Sequence, residues 1–304
     1  MIELVQLTKR YGKNEKLALD HIDYFTNQTC PLGIVGSNGA GKSTMFMLAN
    51  GLARPTSGNV RLLGKDLAGD KSIIKRTGLF TDQLRLYPIL TVKETICYFM
   101  GIYGISKKEY ENRIKMFHID EFENSKIDSL STGMLKKVML LISMLHMPDI
   151  LFLDEPFSGL DMDAKNELSE AIQYLYREKN IKIVISSHDL FETQGLIEDV
   201  MILEAGRIIE AGKYDELIRK YSKVKKLRVV CKDDTTISGS YSKLVWKREA
   251  GQMELRMGIE ELYSFLEVVD RRKVINIINN DMSLGDIYEE ARKHANISNA
   301  EKRD

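Results

Sequence analysis

The sequence predicts an α/β fold built on a parallel sheet, followed by a small α+β domain. A glycine-rich loop, Gly36–Thr44, lies between a strand-like and a helix-like segment. The short, mainly apolar runs Ile150–Leu153 and Ile181–Ile185 are each followed by polar residues. Such runs are typical of central parallel strands, whose carboxyl ends carry functional side chains. The composition changes near Tyr221, where a second pattern of short strands and helices begins.

Size and composition limit the class of protein. The 304 residues suffice for one substantial domain and a smaller one, and 44 basic side chains balance 44 acidic ones. This zero net charge gives no support for a nucleic-acid binder. Cys30, Cys97 and Cys231 lack partners at metal-ligand spacing and are expected to be reduced thiols. The longest apolar stretch, Val138–Leu153, is too short and interrupted to cross a bilayer, so another polypeptide must supply any membrane part.

The N-terminal third is predicted to contain strands around one helix. An alternating pattern at Ile2–Leu7 indicates a half-buried strand. We predict, in chain order, strands at Leu17–Phe25 and Cys30–Val35, a helix at Lys42–Ala49 closed by Gly51, and a strand pair within Asn59–Asp66.

The rest of the chain divides into a helical segment, the two apolar strands and the C-terminal domain. Helical spacing recurs in Thr91–Met100, Lys107–His118 and Leu135–Met147. Beyond Tyr221 we predict strands at Leu227–Cys231, Leu244–Lys247, Glu254–Met257 and Val274–Ile278, and helices at Ile259–Val269 and Ser283–Lys293. The predicted domain limits are 1–220 and 223–304.

The glycine-rich loop fits the P-loop pattern G-x-x-x-x-G-K-S/T in its required strand–loop–helix setting. Its nucleotide-binding candidates are Gly36, Ser37, Asn38, Gly39, Ala40, Gly41, Lys42, Ser43 and Thr44. Backbone amides and the helix N-terminus would form a cradle for ATP phosphates. Lys42 would bridge the β- and γ-phosphates, and the Ser43 hydroxyl would bind Mg²⁺. The fold class is therefore a P-loop NTPase.

Two adjacent carboxylates follow the apolar strand that begins at Ile150. Asp154 would hold Mg²⁺ through its water shell, as in other P-loop enzymes. Glu155 would polarise the attacking water as general base. The alternative is that these acids only cap a helix, which the P-loop upstream makes a poorer explanation.

Four runs in order resemble the ATP-binding-cassette (ABC) ATPases. They are the P-loop, Leu130-Ser-Thr-Gly-Met134, Asp154-Glu-Pro-Phe-Ser-Gly-Leu-Asp161 and Ser186-Ser-His-Asp189. The resemblance covers about residues 1–220. It implies a RecA-like core, an antiparallel β subdomain near the N-terminus and a helical subdomain around 85–150. It also implies that two such domains pair head to tail, with ATP at each shared face.

The same resemblance assigns roles to five further residues. Tyr11 matches the aromatic on which adenine stacks, although a tyrosine in a turn more often serves packing. Ser131 and Gly133 match the signature positions that reach the γ-phosphate of ATP held by the partner subunit. Asp161 matches a loop carboxylate at the dimer interface, and His188 matches the catalytic switch histidine that contacts the γ-phosphate.

The chain departs from the family pattern in two places. Thr132 and Met134 replace the second glycine and the glutamine of the usual signature, while Ser131 and Gly133 remain. The coupling loop normally presents a glutamine four residues after a glycine at the end of a strand. Counted from Gly78, that position is Asp82, and Gln83 follows it. Either Asp82 acts as a metal-side ligand or Gln83 takes the role after a small loop shift.

These features predict an ATPase subunit that drives a separate integral-membrane permease. We expect a homodimer or a pair with a second ABC ATPase, located in the cytoplasm at the inner face of the membrane through the permease. The signature and the appended domain resemble those of bacterial exporters, as does the segment Met282–Tyr288. The alternative is a soluble ABC ATPase acting on ribosomes or DNA. One cassette, and about ninety residues between Lys42 and Ser131, count against that alternative, and no nucleic acid is expected as a partner.

Overall fold

A computed structural model describes residues 1–12, 16–28, 30–188, 193, 195–221, 227–232, 235, 239–249, 251–279 and 285–292. The chain forms two compact units, Met1–Lys213 and Tyr214–Asp304. The sequence-based domain limits, 1–220 and 223–304, differ because they assign residues 214–220 to the first domain. Those limits stay a prediction.

The first unit alternates strands and helices. Its strands are β1 Ile2–Lys9, β2 Leu19–Thr26, β3 Leu32–Val35, β4 Ser57–Leu62, β5 Lys65–Asp66, β6 Thr77–Thr81, β7 Ile150–Asp154, β8 Lys182–Ser187, β9 Asp199–Glu204 and β10 Arg207–Lys213. Its helices are α1 Lys42–Ala49, α2 Val92–Tyr103, α3 Tyr110–Lys115, α4 Thr132–Met144 and α5 Met162–Lys179.

Two sheets organise this unit. A four-stranded antiparallel sheet has the order β2-β1-β4-β5. A six-stranded sheet has the order β10-β9-β3-β8-β7-β6, in which neighbouring strands from β9 to β6 are parallel and only β10 is antiparallel. The predicted P-loop α/β fold with an antiparallel β region and a helical segment is thereby confirmed.

The central strands of the larger sheet are buried on both faces. All residues of β3, β7 and β8 are buried, which accounts for their mainly apolar character. Phe46 of α1 packs edge-on against Phe152 of β7, with ring centroids 5.3 Å apart. This packing fixes the helix that follows the glycine-rich loop against the strand that carries Asp154 and Glu155.

Side-chain caps define where three helices begin. Thr91 and Glu94 form a reciprocal capping box at α2. Ser131 caps α4 by accepting from the Met134 N–H, and Asp161 caps α5 by accepting from the Ala164 N–H. Two residues with the predicted interface roles thus also start helices.

Helix α1 has the predicted bounds, and Gly51 follows it with the positive φ of a helix-ending glycine. The predicted helix Lys107–His118 is wrong in extent, since α3 covers only Tyr110–Lys115 after a short 3₁₀ turn. Sequence analysis also did not predict α5, β9 or β10.

The second unit contains α6 Tyr214–Tyr221, β11 Leu227–Lys232, β12 Val245–Glu249, β13 Gln252–Met257, α7 Ile259–Val268, β14 Val274–Asn279 and a helical stretch at 285–292. Its strands form an antiparallel sheet in the order β12-β13-β11-β14. Val229, Leu255 and Phe265 are core residues between sheet and helix. This is the predicted small α+β architecture, although part of the predicted helix Ser283–Lys293 lies outside the described residues.

Within the described residues, no helix combines the length and the apolar character needed to cross a membrane.

Candidate nucleotide-binding site

The glycine-rich loop connects the end of β3 to α1 and depends on glycine at specific positions. Gly41 has φ +112°, and a Cβ there would lie 2.5 Å from the Ala18 carbonyl oxygen. A Cβ on Gly36 would lie 2.2 Å from the Leu203 carbonyl oxygen. A side chain at either position would therefore clash with backbone atoms, which forces the loop to be glycine-rich.

This loop forms one wall of a cleft of about 570 Å³. The lining residues are Ala18, Asn38, Gly39, Ala40, Gly41, Lys42, Ser43, Thr44, Thr81, Asp82, Gln83, Asp154, Glu155, Ser158 and His188. They come from the loop, from the ends of β6, β7 and β8, and from the segment before β2. The carboxyl ends of parallel strands therefore converge on the loop, as expected for an open α/β sheet.

Lys42 lies at the base of the cleft with its ammonium group almost fully buried. Its Nζ donates to the carbonyl oxygens of Gly36 at 2.7 Å and Ser37 at 3.3 Å. It also forms an ion pair with Glu155, with 3.2 Å between Nζ and Oε1. A buried cation beside a loop of amides suits a triphosphate, whose oxygens can displace the Glu155 carboxylate.

Asp154 is held by a neighbouring strand. Ser186 of β8 donates from Oγ to Asp154 Oδ1 at 2.6 Å and accepts from the Glu155 N–H at 3.1 Å. The Ser43 hydroxyl lines the same cleft. Hydroxyl and carboxylate oxygens beside a phosphate site fit Mg²⁺, which takes few protein ligands and fills its remaining positions with phosphate oxygens and water. The residues present thus fit both ATP and Mg²⁺.

Glu155 has a strained backbone and a fully engaged carboxylate. Its φ is +50°, which is unusual for a residue other than glycine. Its Oε2 lies 2.6 Å from His188 Nδ1, while its Oε1 faces Lys42. Strained residues of this kind are concentrated at functional sites. Asp189, which follows His188 in the motif, lies outside the described residues.

Asp82 and Gln83 both line the cleft just after β6, so both positions proposed for the coupling loop are near the phosphate site. Asp82 faces the ammonium of Lys136, with 3.6 Å between Oδ1 and Nζ. The Gln83 N–H donates to the Thr81 hydroxyl at 3.3 Å. This geometry leaves open which of the two acts as a metal-side ligand.

The signature residues lie elsewhere on the unit. Ser131 is exposed at the N-terminus of α4, and none of the described residues that line the cleft belongs to the signature run. Gly133 packs closely on α5, where a Cβ on the glycine would lie 2.9 Å from the Ala164 Cβ. Asp161, at the start of α5, is also outside the cleft lining.

Tyr11 lies beside the P-loop helix and is more than half exposed. Its hydroxyl is 3.3 Å from the Thr44 Oγ1, and the Lys9 ammonium lies 4.8 Å from its ring centroid. The ring is thus near the cleft, and adenine stacking on it stays a prediction.

Sequence analysis did not single out two residues of this region. Ser186 was quoted only as part of a motif, although its hydroxyl links Asp154 to Glu155. Lys136 was not considered at all, although its side chain is buried among the same loops. The available signal was a lysine on the buried face of a largely apolar helix.

The family model for ABC transporters matches residues 19–158. The uncharacterised ABC transporter ATP-binding protein YhaQ of Bacillus subtilis is 30% identical over 267 residues, which cover 86% of this chain and 88% of YhaQ. The chain belongs to the ABC transporter family. The match to YhaQ spans 267 residues and so extends beyond the first unit, which ends at residue 213 of 304.

Two further comparisons agree with this membership. The bacitracin transport ATP-binding protein BcrA of Bacillus licheniformis is 33% identical, with 73% of each chain covered. A dimeric bacterial ABC transporter cassette of known structure superposes with a TM-score of 0.63 at 25% identity, covering 70% of this chain and 98% of that one. Relatives named for import match at similar identity.

As a member of this family, the chain is an ATP-binding subunit of an ABC transporter and an ATPase. Such subunits bind ATP, generally with Mg²⁺, dimerise and work with membrane components. The roles of individual site residues are not decided by family membership and stay predictions.

Proposed function

We propose that this chain hydrolyses MgATP at a site shared by two copies and thereby drives a separate membrane permease, as an exporter. The observation that carries the proposal is the separation within one chain of two sets of predicted ATP-binding residues. One set surrounds the cleft and the other, at Ser131 and Gly133, lies outside it.

The chemistry follows from the residues at the cleft. Lys42 and the loop amides bind the β- and γ-phosphates, while Ser43 and Asp154 would hold Mg²⁺, which would neutralise phosphate charge. When the triphosphate takes over Lys42, Glu155 loses its ion pair and orients the attacking water as general base. His188, already beside Glu155, reaches the γ-phosphate.

The second copy would complete the site. Ser131 and the Gly133 N–H at the start of α4 can donate to the γ-phosphate, because both are donors at the positive end of a helix. ATP binding then closes the pair, and hydrolysis removes the contacts that hold it closed. The dimer of the related cassette supports this arrangement.

Exposed apolar side chains near the helical segment support a membrane partner. Tyr87, Ile89, Tyr98 and Ile102 are all more than half exposed, and the last two are one turn apart on α2. Large exposed apolar residues indicate interaction surfaces. We propose that Leu84–Thr91 and this face of α2 accept the permease, which would hold the subunit at the cytoplasmic face of the membrane.

Co-purification from detergent-solubilised membranes tests this proposal. We expect a multi-span membrane protein to accompany the full chain, and Ile89→Glu with Ile102→Glu to abolish that association while ATP binding is retained. Phe25→Glu, an exposed aromatic on β2, serves as the matched control and should leave it intact. Recovery of ribosomal proteins or DNA instead would favour the soluble ABC ATPase.

Export rests on the resemblance of the signature and the appended C-terminal domain to exporter subunits. The match to a bacitracin transport protein supports it, whereas import-type relatives match about as well. The co-purified complex also tests the direction of transport. A requirement for an external substrate-binding protein to stimulate its ATPase would contradict export.

A further inference from the structure

Lys136 is a buried cation that sequence analysis did not consider. It lies on α4, one turn beyond the signature residue Gly133, and is 4% exposed. Its Nζ donates to three carbonyl oxygens of the segment after β7, those of Glu155 at 3.3 Å, Pro156 at 3.0 Å and Ser158 at 2.7 Å. One ammonium group therefore ties the signature helix to the turn that carries the proposed general base.

The carbonyl oxygens satisfy the protons of this ammonium but do not neutralise its charge. The Asp82 carboxylate faces it from the coupling loop, at 3.6 Å between Oδ1 and Nζ, and the Phe80 ring centroid lies 5.9 Å away. That separation is too long for a hydrogen bond but short enough for a charge interaction with the buried ammonium. Asp82 is about half exposed and also borders the phosphate site.

We propose that Lys136 is a positioning residue for hydrolysis with two separable roles. Its three hydrogen bonds hold the Glu155–Ser158 turn, so that Glu155 keeps its strained backbone and its place beside Lys42. Its charge neutralises Asp82, so that an acid is tolerated where the triphosphate binds. The inference rests on the proposed roles of Glu155 and Asp82. It adds a residue that lies outside the four motif runs.

The two roles predict different kinetic effects. Without Lys136, the uncompensated Asp82 carboxylate repels the phosphates and weakens ATP binding. Separately, a loosened turn displaces Glu155 and lowers the rate of hydrolysis, because small misplacements of catalytic groups are costly. Removing Asp82 at the same time should therefore restore binding but not the rate.

The experiment compares Lys136→Met, Lys136→Met with Asp82→Asn, and Lys136→Arg in the full chain. ATP affinity is measured by calorimetry and kcat by phosphate release. We expect Lys136→Met to weaken ATP binding about tenfold and to lower kcat at least tenfold. The double variant should bind ATP like the parent with kcat still low. Lys136→Arg, which keeps the charge, should bind ATP normally.

A buried lysine away from the cleft provides the control for stability. Lys182 of β8 is 8% exposed and donates to the Gln28 carbonyl oxygen. Lys182→Met should lower the thermal unfolding midpoint but leave ATP affinity and kcat per folded molecule unchanged.

Three outcomes overturn the proposal. They are equal ATP affinity of Lys136→Met and the parent, equally weak binding by single and double variants, and recovery of kcat in the double variant. Failure of the parent itself to hydrolyse ATP would instead contradict the proposed function, so the two failures are distinguishable.

Discussion

The P-loop face and the signature face of the first unit differ in how complete they are. Around the P-loop, residues from three strand ends, the segment before β2 and the loop line a single cleft, in which Glu155 already contacts both Lys42 and His188. At the signature, Ser131 is exposed and its hydroxyl caps its own helix. One face is a binding site within the chain. The other presents hydrogen-bond donors that lie outside the cleft.

This difference implies that the assembly of two copies can regulate turnover. A P-loop face that contains its own lysine, acids and histidine can bind ATP in a single copy. In the proposed mechanism the signature donors would stabilise the γ-phosphate only when a second copy brings them to it, so binding and turnover should be separable.

Glu155→Gln should bind ATP but hydrolyse it at least a hundredfold more slowly, because an amide cannot accept a proton from water. The variant should accumulate as an ATP-bound dimer. Gel filtration with light scattering measures its mass against the 34.8 kDa of one chain. Phosphate release gives the rate.

The matched control for this change is Glu178→Gln, an exposed acid on α5. It should leave turnover unaffected. Parent-like turnover by Glu155→Gln would show that another group is the base. A variant that stays monomeric with ATP, while the permease complex contains a second ATPase, would favour a heterodimer.

Lys42→Ala and Ser131→Ala should separate the two faces. Loss of the Lys42 ammonium should weaken ATP binding at least tenfold in calorimetry, since a charged hydrogen bond to phosphate is lost. Ser131→Ala should leave that affinity unchanged in dilute protein but reduce turnover. Equal loss of affinity in both variants would mean that the faces are not distinct.

Gly133→Ala tests whether the signature glycine is needed for packing or for phosphate contact. A Cβ there would lie 2.9 Å from the Ala164 Cβ, so the change should lower turnover through displacement of α4 or through crowding of the phosphate. Adding Ala164→Gly removes the clash within the chain. We expect the double variant to regain thermal stability but to turn over several-fold more slowly than the parent. Full recovery of turnover would reduce Gly133 to a packing residue.

The smallest expected effect concerns the anchor of α4 at its other end. His146 follows the helix, and its Nε2–H donates to the Thr77 carbonyl oxygen at 2.9 Å while its ring stacks on Tyr103. Burial, and secondarily the Arg113 charge, lower the pKa of His146, whereas the hydrogen bond to Thr77 opposes the shift.

Because the unfolded chain binds a proton that the folded one excludes, stability should fall as pH drops below about 6.5, the ordinary histidine pKa. His146→Gln should flatten this dependence of the unfolding midpoint between neutral and mildly acidic pH. His118→Asn, at an exposed position, should leave the slope as in the parent. An unchanged slope in His146→Gln would contradict the assignment.

Patterns that are local in sequence were predicted well. The P-loop, its helix Lys42–Ala49 and the apolar strands at Ile150 and Lys182 follow from glycine geometry and burial on both faces, which leave a clear trace in the residues. The long helix α5 was not predicted, although Asp161 caps it and Leu168, Ile172 and Leu175 form its buried face. Most residues of α5 are polar and only these three form its buried face. This weak helical pattern was not recognised behind the motif residues at the start of the helix.

The amino-acid order by itself determined which side chains could grip a triphosphate, because a P-loop and strand-terminal acids need only a few neighbouring residues to be recognised. Which of these side chains contact one another follows from the tertiary structure instead. In the folded chain Ser186 donates to Asp154, and Lys136 contacts Asp82 and the turn after Glu155. Ser131 lies outside the cleft lining. Such contacts depend on how strands and helices that are distant in sequence pack together. The sequence around a buried lysine does not indicate which residue it will contact.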